Sequence, residues 1–269
     1  TQNSSLRDLR SIEATLCEFD GPTFHVLGNH DVDVISQRQF LSCINNGLDQ
    51  PQAGNYSYDV GRGLHFVVLN GDYDFFTGLP FNWGNFSYKT MSVTGAQLQW
   101  LRDDLEMARR ADRKVVVFNH YRMDGRVVGG CTWCTENPTL CHNQDKQNSG
   151  LDCDENSFRS HHRDSASLWN VDEVRQVLEQ SGVVIAAFNG HDHNGGVTCI
   201  WGNHTVPCTS TDPHIMYFTH RAMVEGPYPS NNAYSVITVY SDCTVHVDGS
   251  GIAWNHTHRG LPDCTVRLE

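Results

Sequence analysis

Apolar and polar positions follow two rhythms along this chain. Helical spacing comes first: Leu6, Leu9, Ile12 and Leu16 share one face of a helix that must end before Gly21-Pro22. Ser36 to Ile44 predicts a second helix, and Thr94 is placed to cap a longer one carrying Leu98, Leu101 and Leu105. A fourth is capped by Asn170, carries Val174, Val177 and Leu178, and stops at Gly182. Between these helices lie unbroken apolar runs that predict buried strands: Thr23 to Leu27, "KVVVF" from Lys114 and "VVIAAF" from Val183. "YSYDVGRGLHFVVLN" predicts a hairpin turning at Gly61-Arg62-Gly63, and Val197–Trp201, Ile215–Thr219, Ala233–Tyr240 and Cys243–Val247 predict further strands. Strands alternating with helices, then strands alone, predict an α/β sandwich with mixed sheets and helices outside. Residues 1–269 read as one domain. From Gly129 to Ser167 periodicity fades while four cysteines accumulate, which predicts a disulfide-stapled surface insertion.

Composition narrows the class. With 39% hydrophobic and 19% charged residues the chain is globular. No run approaches the roughly 20 apolar residues of a membrane span. There is no signal peptide and the first residue is Thr1, so the chain reads as processed or trimmed. A net charge of −12 argues against a nucleic-acid partner, and an anionic substrate would need a local cation to attract it. The ten cysteines are an even number, and sequons occur at Asn3, Asn55, Asn85, Asn203 and Asn255. Together they predict a secreted or cell-surface protein with disulfides and N-glycans. The alternative for part of the set is a zinc knuckle at Cys131-x-x-Cys134, completed by Cys141, Cys153, His161 or His162.

The chemistry gathers where apolar runs end. Gly28-Asn29-His30-Asp31, Asn119-His120 and Asn189-Gly190-His191-Asp192-His193 each close such a run with Asn and His. Ligands in α/β folds sit beyond the carboxyl ends of the strands, so three tips of this kind can converge on one place. Imidazole with amide or carboxylate oxygen suits Zn, Mn or Fe. Taken singly, each histidine reads first as an ordinary core or surface residue hydrogen-bonded to backbone; three such tips together favour the metal reading.

"GNHD", then "NH" after an apolar strand, then "GHDH", in that order, resemble the calcineurin-like metallophosphoesterases. "FVVLNGDYD", "GAQLQWLRDDL" and "GHDHNGG" are similar to segments of the manganese-dependent ADP-ribose/CDP-alcohol diphosphatase group. The resemblance implies an αββα sandwich of two mixed sheets flanked by helices, with its first strand or strands lacking. It implies hydrolysis of a small phosphorylated substrate at two divalent metals, with Asn29, His120 and His191 on one and His193 on the other. It assigns His30 as the general acid or a phosphate contact near the leaving oxygen, and Asp31 as the group orienting its ring. Tyr121 and Arg122, directly after His120, are the residues placed to touch substrate.

Two family motifs, D-x-H and G-D-x-x-D, are absent before Gly28. Asp72 and Asp74 in "NGDYD" follow GNHD at the wrong spacing and are expected to form loop or pocket wall. The chain alone therefore holds at most one metal well, since a metal needs about three protein ligands. Two readings stay open: a secreted phosphoester or pyrophosphate hydrolase whose missing ligands come from an N-terminal segment or a partner chain, or a catalytically incomplete extracellular structural or binding module.

Overall fold

The computed structural model describes residues 2–44, 54–81, 90–124, 167–193, 195–201, 204–208, 213–222, 232–253, 255–258 and 264–267. Helices α1 (Gln2–Leu16) and α2 (Gln37–Leu41) precede a hairpin of β1 (Tyr56–Val60) and β2 (Leu64–Val68). A short ribbon of β3 (Tyr73–Asp74) and β4 (Met91–Ser92) leads to α3 (Gly95–Arg110), β5 (Lys114–Phe118), α4 (Val171–Ser181) and β6 (Val184–Asn189). Among the described residues the elements that follow are strands: β7 (Gly196–Trp201), β8 (His204–Val206), β9 (Ile215–Thr219), β10 (Ala233–Val239), β11 (Val245–Gly251) and β12 (His256–His258).

A seven-stranded mixed sheet in the order β1-β2-β5-β6-β9-β7-β8 forms the frame. Its centre, β2, β5, β6 and β9, is parallel, and the flanking pairs are antiparallel. Parallel strands are covered on both faces, and β6 and β9 are accordingly buried along their whole length. One face packs against the helices through Leu98, Leu101 and Leu105 of α3 and Val174, Val177 and Leu178 of α4. The other meets a three-stranded antiparallel sheet, β10-β11-β12, through Val116, Phe188 and Phe218 against Val245, Val247 and Ile237. The mixed α/β sandwich expected from the sequence is the one observed. Its second sheet is antiparallel rather than mixed, and β10 alternates strictly, with Tyr234 and Val236 exposed on the outer side.

Local chemistry explains the element ends. Thr94 Oγ1 accepts from the Gln97 N–H, capping α3. Gly182 ends α4 in the left-handed conformation that its lack of a Cβ permits. Asn170 precedes α4 without capping it through its side chain. Its amide instead clasps Val93, accepting from the N–H at 3.2 Å and donating to the C=O at 2.8 Å.

Two further sequence expectations differ from the structure. Thr23 to Leu27 joins no sheet among the described residues. The run is satisfied by packing instead: Leu27 is buried, Phe24 stacks on Tyr58 at 3.8 Å, and the Tyr56 hydroxyl donates to the His25 carbonyl. The stripe on α1 is only half used, because Leu6 and Leu9 pack on the core while Ile12 is exposed. Cys199–Cys208 and Cys243–Cys264 are disulfides, while Cys17 and Cys43 are unbridged. The remaining four cysteines and nearly all of the 129–167 insertion lie outside the described residues, as do Asn85 and Asn203.

Candidate metal centre

Three strand ends deliver the site. Asn29 opens a 3-10 turn, Asn29–Val32, and is fully buried. His120 follows β5, and His191 follows β6. The parallel pairing of β5 with β6 puts their carboxyl ends side by side, and the Gly190 N–H donates to the His120 carbonyl at 2.9 Å. His120 Nε2 stands 2.8 Å from Asn29 Oδ1 and 3.1 Å from His191 Nδ1, and the third side of the triangle is 3.0 Å. Donors about 2.1 Å from one cation, at right angles to each other, stand about 3.0 Å apart. The cradle has the dimensions of one face of an octahedral site, and its donor types suit a divalent transition metal.

The surroundings keep these donors ready. Burial, reinforced by neighbouring histidines 191, 30 and 193, pushes the His120 imidazole down to about 3 and so keeps a lone pair available. Gly28 makes room for that ring, since a Cβ there would sit 2.8 Å from His120 Nδ1. His191 adopts φ +64°, which a residue with a side chain takes only when its surroundings hold it.

The other sequence candidates fall in distinct places. His30 is exposed, and its Nδ1 lies 2.5 Å from Asp33 Oδ2. Asp31 turns back instead, accepting from the Gly28 N–H at 2.9 Å, and burial raises its carboxyl above the usual range. The 3-10 turn decides this: at three residues per turn, residue i+3 eclipses residue i and residue i+1 does not. Tyr121 is completely buried behind the histidines, with its ring 4.9 Å from that of His191 and its hydroxyl donating to Asp72. It forms the back wall of the site rather than a substrate contact. Arg122 is held by carboxylates, through Nε and Nη2 on Asp124 and Nη1 on Asp192. His193 is exposed.

Among the described residues, no third Cys, His, Asp or Glu donor comes within 4.8 Å of both His120 and His191. Asp72 is buried wall, with burial raising its carboxyl to about 7. Asp74 closes a loop by accepting from the N–H and hydroxyl of Thr77. The residues that support this wall escaped the sequence reading. Gln37 donates to the Asp72 carbonyl, and Gln97 exchanges two hydrogen bonds with the backbone of Asn70. A signal existed in Gln97, a buried polar residue three places after its helix cap. A separate buried group, Cys199, His214 and His258, has donor atoms within 4.8 Å of one another. The Cys199 sulfur is committed to Cys208, so it offers no thiolate and the group is not a metal site while that bridge stands.

Comparison with known proteins supplies the family. A manganese-dependent ADP-ribose/CDP-alcohol diphosphatase of Oryza sativa subsp. japonica is 28% identical over 241 residues, covering 84% of this chain and 64% of its own length. Its Arabidopsis thaliana namesake is 23% identical over 228 residues, covering 72% and 61%. The chain thus spans less than two thirds of the length of these curated relatives. The crystal structure of a dimetal phosphatase from Danio rerio has a similar fold, with a TM-score of 0.65 at 17% identity over 96% of this chain and 78% of that one. The model of the family described as calcineurin-like phosphoesterase matches residues 5–195, and the chain belongs to that family.

Proposed function

We propose that this chain carries one metal cradle of a secreted phosphoester or pyrophosphate hydrolase acting on a small phosphorylated substrate. The observation that supports it most directly is the meeting of Asn29 Oδ1, His120 Nε2 and His191 Nδ1 within 3.1 Å, from segments 91 and 71 residues apart. A divalent Mn, Zn or Fe ion held there would supply Lewis-acid polarisation of the phosphoryl group. Asn29 offers an uncharged oxygen, and His120 offers a lone pair because its buried ring resists protonation. His193 is the residue of this chain assigned to a second cation. Asp33 orients His30 through Nδ1, so that in the imidazolium form the second proton, on Nε2, passes to a departing alkoxide and leaves the neutral ring with its Nδ1–H on Asp33. Asp31 ties the turn to Gly28 and so sets where His30 stands. Secretion is supported by the two disulfides. Asn255 is exposed and its Oδ1 accepts from the Gly249 N–H, an arrangement in which Nδ2 can carry a glycan.

The test is turnover of bis-p-nitrophenyl phosphate with and without added Mn, together with elemental analysis. His120→Ala is expected to abolish Mn-dependent turnover. His30→Ala should lower kcat by about 10²–10⁴-fold with metal content unchanged. A protein with no bound metal and no turnover in added Mn sinks the proposal.

One observation favours a second reading, a catalytically incomplete extracellular binding module. It is the lack, among the described residues, of a third Cys, His, Asp or Glu donor beside His120 and His191. That reading expects one metal per chain and no hydrolysis.

A further inference from the structure

We propose that Arg122 is a positioning residue that sets the loop bearing His191 and His193, rather than a contact for substrate phosphate. The inference rests on the metal-site reading above. Asp192 stands between the two histidines, and its Oδ2 accepts from Arg122 Nη1 at 2.9 Å. The opposite side of the same guanidinium forks onto Asp124, at 2.9 Å from Nε and 2.7 Å from Nη2. Asp124 is buried and anchored in turn: Thr198 of β7 donates to its carboxylate at 3.3 Å, and Arg175 of α4 donates to its carbonyl at 3.1 Å. A rigid chain of contacts therefore runs from α4 and β7 through Asp124 and Arg122 to Asp192.

The loop has reason to need this hold. His191 sits at φ +64°, and the turn after it is closed by the Asp192 N–H on the Gly190 carbonyl and the Gly195 N–H on the Asp192 carbonyl. These short local bonds shape the turn, while the Gly190 N–H on the His120 carbonyl and the Ala222 N–H on the His193 carbonyl join its two sides to the backbone around it. Arg122 supplies an anchor outside the loop, and a planar guanidinium bridges two carboxylates in a way that a lysine ammonium does not. The side chains are 26% and 22% exposed, so the Arg122–Asp192 pair is screened less than one at the open surface. Two carboxylates on one guanidinium also offset its charge, which makes it a poor attractor for a phosphate.

Arg122→Ala, Arg122→Lys and Asp192→Asn test the idea, with Mn(II) affinity and hydrogen exchange as readouts. Losing a partner that orients a ligand costs about 10–100-fold in metal affinity, so Arg122→Ala and Asp192→Asn should each weaken Mn binding by that factor. The double variant should be no weaker than either alone, and Arg122→Lys should recover little. At saturating Mn the KM for an aryl phosphodiester should stay unchanged. In metal-free protein, the amides of Asp192 and Gly195 should exchange faster in Arg122→Ala while those of β5 and β6 do not. Unchanged Mn affinity with a raised KM would make Arg122 a substrate contact and overturn the proposal. So would unchanged exchange in the loop. If the wild type binds no Mn, the proposed function fails, and exchange of the loop still decides the role of Arg122.

Discussion

Gly28 has no side chain, and His120 depends on that. A methyl group there would meet the imidazole at 2.8–3.0 Å along Nδ1, Cε1 and Cγ, so the ring would have to tilt away from Asn29 and His191. Gly28→Ala should therefore lower Mn affinity by about 10–100-fold, like loss of an orienting partner, while leaving the secondary structure intact. Isothermal titration beside circular dichroism separates the two effects, and equal affinity in the variant would count against the cradle. Tyr121→Phe acts on the wall behind. It strips a buried carboxylate of its hydrogen bond, and stability should fall by about 1–3 kcal/mol in urea denaturation. At this scale the sequence was partly legible. The apolar runs that end in Asn and His announced the cradle, because a parallel strand presents its last polar residues at one shared edge. The sequence expectation pairs His30 with its neighbour Asp31, whereas the structure pairs it with Asp33, three residues on. Only knowledge that the turn is 3-10 separates the two.

Elements carry the site through buried amides. Gln97, in the first turn of α3, meets both backbone polar groups of Asn70 at the end of the β2 run. Asn70 in turn accepts from the Asp72 N–H and donates to Gln37 of α2, so α2, α3 and the wall share one network. Gln97→Ala removes both hydrogen bonds to this buried backbone and should cost about 1–3 kcal/mol, with Thr94→Ala costing about 1 kcal/mol as a control on the cap alone. Urea titrations of both variants measure the difference, and equal losses would mean that Gln97 contributes no more than a cap. Helix α3, the β1–β2 hairpin and the two buried strands were legible because each follows a single local period. The network was not, because its members lie 27–35 residues apart and only the fold pairs them. That Thr23–Leu27 joins no sheet among the described residues was hidden for the same reason: a strand and a buried connecting segment share one apolar pattern, and the neighbours decide between them.

For the whole molecule, the weakness lies between the two sheets. His220 and His256 pack there around Phe218, and His258 lies edge-on to His214 at 4.7 Å beside the Cys199–Cys208 bridge. Burial, with help from His214 and His256, pushes His258 down to about 4, and burial also lowers His220 and His256. A histidine whose folded value lies below the unfolded value of about 6.5 stays neutral in both states above that pH. As pH falls below 6.5 the unfolded chain gains the proton first, so stability is lost progressively down to the folded value. His258 alone should contribute a loss on the order of 3 kcal/mol between pH 6.5 and 4. His65 opposes the others in sign. Burial pulls it down, but hydrogen bonds to Asp104 and Asp59 raise it overall. Its contribution is complete below about 6.5 and is lost only as pH rises through its folded value, so it adds no slope in the acid window. In chelated protein His120 adds loss of the same sign, whereas the Asp72 carboxyl, raised to about 7 by burial, takes its proton first in the folded state and returns stability as pH falls. The urea midpoint of His258→Phe, which keeps a buried ring without a proton to gain, should therefore fall less than that of the wild type between pH 7 and 4.5. Parallel curves for wild type and His258→Phe would place the acid sensitivity elsewhere than in the interface between the sheets.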